Sequence, residues 1–185
     1  MGNLDLAKRQ AEEAHSLSDD KFIEASVATT MGLAGDSAKA TRLADDLAQR
    51  YPEDTIMRFH FLPMIRAAIA IGGVNTARAV EAPAGGATYE LGNIQVVYLR
   101  GQAYLAARQG TEAAAEFQKV LDHPGLVMNQ SFGALAHLGL GRAYAMTGDS
   151  AKAKTAYQDF FALWKDADPD VPILKQAKAE YAKLQ

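Results

Sequence analysis

Residues 141–161 read GRAYAMTGDSAKAKTAYQDFF, and residues 101–121 read GQAYLAARQGTEAAAEFQKVL. Laid one over the other, Gly101, Tyr104, Ala113 and Phe117 fall on Gly141, Tyr144, Ala153 and Tyr157, four matches at one offset of 40. The hexapeptide GDSAKA of residues 148–153 occurs a second time at 35–40. Self-similarity at a period of a few tens of residues marks a stack of repeated units. Each matched residue has a physical task in such a unit. Gly141 lets one helix press against the next, and Tyr144 fills the space between neighbouring hairpins. Gly148 ends the first helix, because glycine tolerates the left-handed backbone that does so. Ala153 is small where two helices cross, and Tyr157 closes the hairpin from the other side.

Gly-x-x-Tyr, an alanine nine places on and an aromatic four places further resembles the tetratricopeptide repeat. The resemblance implies an all-α fold, a right-handed superhelical stack of tetratricopeptide-like helical hairpins with a C-terminal capping helix. Ala40, Ala79, Ala113 and Ala153, taken as equivalent crossing positions, are spaced 39, 34 and 40 apart. They set hairpins at about 20–51, 54–82, 94–121 and 132–165 within one domain, 1–185. Pro63 lies inside the first helix of the second hairpin, where it is expected to kink the chain. That hairpin stops at Pro83, before the glycine-rich loop 84–93, and the third carries an insert around 124–129. Residues 3–17 read as one amphipathic helix with Leu4, Ala7, Ala11 and Ala14 on a face. It fits the second helix of a hairpin lacking its first, as expected of a piece of a longer chain and equally of a natural short relative. In helix 172–184, Ile173, Leu174, Ala177, Tyr181 and Leu184 share a face and lysines cover the other, which suits a solvating cap.

Composition agrees with packed helices and excludes several functions. Alanine, the best helix former, makes up about a fifth of the chain. A formal charge of −3 without a basic stripe argues against nucleic acid as partner. No apolar run is long enough to span a bilayer, so direct membrane insertion is not expected. With no cysteine there is no disulfide, thiolate zinc site or thiol nucleophile.

A narrower resemblance rests on Tyr98-Leu99-Arg100-Gly101-Gln102-Ala103-Tyr104-Leu105, on Trp164-Lys165-Asp166-Ala167-Asp168-Pro169-Asp170 and on the last helix. With the segments YPEDT at 51–55 and YELG at 89–92, it covers most of the chain. These stretches resemble the C-terminal repeat region of bacterial, especially acidobacterial, serine/threonine protein kinases. In such proteins a kinase domain precedes the repeats, often with a membrane segment between. The kinase signatures themselves, a glycine-rich phosphate loop, His-Arg-Asp and Asp-Phe-Gly, do not occur in this sequence. The resemblance implies a sensor or docking part, cytoplasmic if standing alone and extracytoplasmic if held outside by a membrane-anchored kinase.

Catalytic and metal chemistry find little support. Asp166, Asp168 and Asp170 alternate as in a calcium loop, but Val171 stands where the loop needs glycine and Ala177 where it needs a bidentate glutamate. A solvated turn is the expectation. His15, His60, His123 and His137 have no paired metal-ligand spacing; His137 falls within the first helix of the fourth hairpin, where it can face the groove. No nucleophile elbow is present. The chain is therefore expected to be no enzyme, with no cofactor, no metal and no catalytic residue.

The remaining reading is a groove. In tetratricopeptide stacks the first helices line the concave side, and the resemblance carries its groove positions onto Gln95, Tyr98, Leu99, Gln102, Leu105 and Ala106 of the third hairpin. On the fourth it selects Leu135, Leu138, Gly139, Arg142, Ala145 and Met146. The lysine–asparagine set that grips acidic chaperone tails is absent. Tyr98 can stack, Gln102 can bond peptide backbone, Arg142 can hold a carboxylate and Met146 can adapt, with Arg66 and Arg100 adding charge. The expectation is a non-catalytic interaction scaffold docking a protein or peptide ligand, with Tyr98, Gln102, Arg142, Met146, Gln95 and Leu138 as candidate contacts. Two alternatives accompany it. One is a homo-oligomer formed through the N-terminal helix at Leu4, Ala7, Ala11 and Ala14. The other is a small-ligand sensor with a closed pocket near the inserts 84–93 and 124–129.

Overall fold

The computed structural model describes residues 4–73 and 94–184. Within them the chain is an all-α helical repeat stack, with helices packed on their neighbours in sequence. In order these are α1 (Leu4–Leu17), α2 (Lys21–Leu33), α3 (Ser37–Arg50), a π-helical turn (Met57–Phe61) running into α4 (Leu62–Gly72), α5 (Ile94–Ala106), α6 (Gly110–Asp122), the short α7 (Pro124–Val127), α8 (Ser131–Thr147), α9 (Ser150–Leu163) and α10 (Pro172–Ala182). Ala79, the second helix of the second hairpin, the loop 84–93, the YELG segment and Asn3 lie outside the described residues.

The repeated hexapeptide folds twice into one turn. Gly35 and Gly148 each end a helix at φ +84°, in the left-handed region that L side chains avoid. The next residue caps the following helix. Asp36 accepts from the Lys39 backbone N–H, Asp149 from that of Lys152, both at 3.1 Å. Three residues beyond each cap-start serine, Ala40 and Ala153 are fully buried, as is Ala113 of the third hairpin.

Glycine governs how the hairpins meet. A Cβ on Gly101 would come within 2.8 Å of the Phe117 ring, and one on Gly139 within 2.5 Å of it. Phe117, fully buried, is thus clasped between α5 of its own hairpin and α8 of the next. Tyr157 repeats half of this, since a Cβ on Gly141 would meet its ring at 2.8 Å. Between α2 and α4 the backbones themselves touch, for a Cβ on Gly72 would lie 2.0 Å from the Gly32 carbonyl oxygen.

Pro63 sits near the start of α4, immediately after the π turn. A proline inside an α-helix lacks the N–H and crowds the carbonyl four residues back, here that of Phe59. The wider turn, in which the Leu62 N–H reaches the Met57 carbonyl, resolves that crowding and lets the helix continue. Asp54 starts this segment by accepting from the Met57 N–H at 2.9 Å, and it holds Lys21 of α2 at 2.5 Å.

The N-terminal helix packs on α2 through part of its apolar stripe. Ala11 is buried with Val27, Met31 and Ala40, and Ala14 packs on that cluster. Ala7, Ala11 and Ala14 face Ile23, Val27 and Thr30 of α2. Ala11 is therefore covered within the chain, Ala7 and Ala14 are half-buried along a cleft beside α2, and Leu4, Leu6 and Leu17 stay exposed. A glutamate at position 11 would disturb the packing of α1 on α2.

If Phe117 is clasped as described, Gly139→Ala should destabilise the chain by about 1–3 kcal/mol in spite of alanine's helix preference. Combining it with Phe117→Leu should cost clearly less than the sum of the two single substitutions, measured by chemical denaturation. Simple additivity would disprove the contact.

Candidate binding face

Helix α5 is apolar on two sides and polar on a third, and its packing follows. Leu99 is buried against Met64 and Ala67 of α4. Val97 and Ile94 enter the core formed with α6 and α8. Arg100, foreseen as a groove charge, is buried instead and donates from Nε to Glu116 of α6 at 2.9 Å; Lys119 reaches the same carboxylate at 2.9 Å. It points toward the second helix of its hairpin, because a guanidinium so deep in the stack needs a carboxylate beside it.

Gln95 is exposed, and Tyr98 and Gln102 are half-buried one and two turns along from it. Gln102 Nε2 donates to the Tyr98 hydroxyl at 3.1 Å. The Tyr98 ring rests on Phe117 and Phe132, each with ring centres 5.8 Å away. Burial pushes the Tyr98 phenol up to about 12, against the smaller opposing pull of Arg142 and Gln102. Tyr98 is therefore a structural floor between α5 and α8, its ring partly taken by Phe117 and Phe132 and its hydroxyl bonded to Gln102.

On α8 the expected groove positions divide. Leu138 is buried and Leu135 partly so, beneath Leu174 and Ala177 of α10 and beside Tyr157, Phe160 and Trp164. Arg142 donates to Glu180 of α10 through Nε at 2.8 Å and through a terminal nitrogen at 3.1 Å, and the Tyr157 hydroxyl donates to the same carboxylate at 3.0 Å. So Leu138 lines no groove, and the carboxylate that Arg142 holds is the chain's own. The cap helix occupies the side of α8 that another hairpin would take. Gly139 serves the Phe117 contact, whereas Met146 is exposed and Ala145 half-buried. Arg66 of α4 is exposed.

Of the expected set Gln95, Ala106 and Met146 are exposed and Gln102 is half-buried, its amide bonded to the Tyr98 hydroxyl. His137 turns the other way, toward α9, where its Nδ1 lies 3.7 Å from Asp159. Burial lowers its pKa, and Asp159 opposes this. Asp168 and Asp170 form a turn, Asp168 accepting from the Asp170 N–H at 3.0 Å and Asp170 from Lys175 at 2.8 Å. Among the described residues no three metal-ligating side chains gather, and no helix is long and apolar enough to cross a membrane.

Sequence reasoning missed Glu180, which reads only as one more charge on the cap helix. A signal was available: on a helix carrying Leu174, Ala177, Tyr181 and Leu184 inward, position 180 falls beside that stripe.

A tetratricopeptide repeat family model matches residues 135–166, the span from α8 through α9. Comparison with curated proteins and with solved structures finds no match.

Two outcomes follow from this geometry. Glu180→Ala should loosen α10 by about 1–2 kcal/mol, since it removes charge-assisted bonds from partly exposed partners. Trp164, the one tryptophan, lies in the α10 cluster and should redden in emission at lower denaturant than in the parent chain. Separately, the folded state favours the neutral Tyr98 phenol, so its contribution to stability is full below pH of about 10 and is lost as pH rises toward about 12. Tyr98→Phe should delete one late component of an alkaline titration followed by phenolate absorbance, leaving the still later one of Tyr157, which burial and Glu180 push higher; an unchanged titration would refute the buried placement.

Proposed function

We propose that the chain is a non-catalytic interaction scaffold that docks a peptide or partner protein along the face presented by α5 and the exposed end of α8. Tetratricopeptide repeats generally mediate protein–protein interaction, and their family is typically non-catalytic; the match at 135–166 supports the reading to that extent. The observation that carries the location is the pair Gln95 and Gln102, the latter anchored on Tyr98, whose ring rests on Phe117 and Phe132. Gln95 and Gln102 offer amide donors and acceptors suited to a peptide backbone, and Met146 adds an adaptable apolar contact. Because Arg142 already holds Glu180, the docked segment needs no acidic group, which changes the ligand chemistry from that expected of the sequence. The resemblance to kinase repeat regions supports a docking role for the stack within a longer signalling chain.

Substitutions at Tyr98 or Arg142 would disturb the core and the cap, so they make poor tests of binding. Gln95→Arg combined with Gln102→Glu should leave the helical signal and unfolding midpoint unchanged yet abolish retention of a partner in affinity capture from lysate. Retention equal to that of the unaltered chain would place the docking surface elsewhere and sink this reading.

A further inference from the structure

Helix α8 has a second functional side. At about 100° per residue, His137, Leu140 and Tyr144 point well away from the stripe of Leu135, Leu138 and Arg142 that meets α10. They floor an open cleft whose walls are α6 with α7 on one hand and α9 on the other. Gln118 and Leu121 line one wall, and Ala151, Thr155 and Asp159 the other, around about 470 Å³. An adjoining cleft of about 530 Å³ shares Leu121 and His137 and continues past Val127 and Met128 to Leu163 and Trp164. From Ala151 to Trp164 the wall runs about 20 Å along α9, the span of about six extended residues.

The insert is fitted to this cleft. Val127 seats on Gly133, where a Cβ would come within 2.6 Å of its Cγ1, and this fixes α7 against α8. Met128 follows at φ 50° and ψ −126°, a conformation that costs a side-chain-bearing residue about 1–3 kcal/mol. The strained residue is held at the rim, 75% exposed, opposite Leu163 at 61%. Two large apolar side chains so displayed at the mouth of a groove suit a partner that covers them.

The charge in the groove selects the partner. Lys152 is engaged by Asp149 at 3.0 Å. Asp159 faces only His137 among the described cationic groups, at 3.7 Å, and burial keeps that imidazole toward its neutral form. Asp122, at the end of α6, has the Gln118 amide at 2.8 Å. The groove thus carries apolar side chains at Leu121, Leu140, Val127, Leu163 and Trp164 among polar ones, with Lys152 turned to Asp149 and the exposed Asp159 carboxylate midway.

We propose that this cleft binds a peptide segment carrying a lysine or arginine flanked by apolar side chains, the cation pairing with Asp159 and the apolar residues seating between Leu121 and Leu140 and against Met128, Leu163 and Trp164. The site is distinct from the α5 face and uses the opposite chemistry from that first sought at Arg142.

The test is a display library of random dodecapeptides selected on the full chain, with the enriched peptides then synthesised and titrated at low and high salt. Enriched sequences should carry Lys or Arg beside Leu, Phe or Met, and should weaken with salt. Affinity should fall about tenfold or more with Asp159→Lys and with Thr155→Arg, both exposed wall positions, and stay unchanged with Gln95→Arg. Absence of enrichment, enrichment of acidic peptides, or affinities indifferent to both wall substitutions would each overturn the proposal. Folding of each variant is checked by its helical signal, and Asp159→Asn supplies a near-isosteric second reading with a smaller loss.

Discussion

The ring of Phe117 lies where Gly101 and Gly139 have no side chain, and that contact sets the distance between the third and fourth hairpins. Helices that carry Leu or Ile at a crossing keep their axes apart by the width of those side chains. Here the crossing residues are glycines, so a phenyl ring fills the gap and contacts helix backbone on both sides. The core of Val97, Val120, Ala136 and Leu140 closes around it. The same device with Tyr157 and Gly141 sets the hairpin angle of the last unit, and bare backbone at Gly32 and Gly72 sets the first crossing. Spacing by subtraction explains why so much of the buried surface is alanine and glycine. At these crossings the volume sits in one ring, and the helix that meets it is bare.

Much of this was legible. Periodic glycine, alanine and aromatic positions disclosed the all-α repeat stack because each does a local job that recurs at a fixed spacing. The GDSAKA turn was readable for the same reason: a left-handed glycine and a capping aspartate need only their immediate neighbours. What escaped was everything decided between segments distant in sequence. Arg142 and Leu138 look like groove residues on an isolated α8, and only the return of α10 turns one into a latch and the other into core. Arg100 looks like a surface cation until Glu116 is placed beside it from the next helix. Pro63 announced a disturbance, but the widened turn that accommodates it depends on which carbonyl finds which N–H.

The same logic separates the two candidate surfaces. Residues of the α5 face were within reach of sequence, since the resemblance to tetratricopeptide repeats carries groove positions onto it. The cleft on the other side of α8 was not, because its walls come from α6, α7 and α9 and its character depends on which charges are already satisfied. His137 illustrates the limit. A helical wheel places it, but whether it faces ligand, acid or core depends on Asp159, which is contributed by the following helix.

The duplicated turn carries a consequence for how such a molecule can grow. Gly35 with Asp36 and Gly148 with Asp149 complete their geometry within a handful of consecutive residues, drawing no bond from elsewhere in the stack. A stretch of gene encoding that turn is therefore a self-sufficient unit of inheritance. Copied into a new place, it brings its own helix stop and start with it. Only the small residues at the crossings must be tuned to new neighbours, while the six letters of the turn can stay as they are.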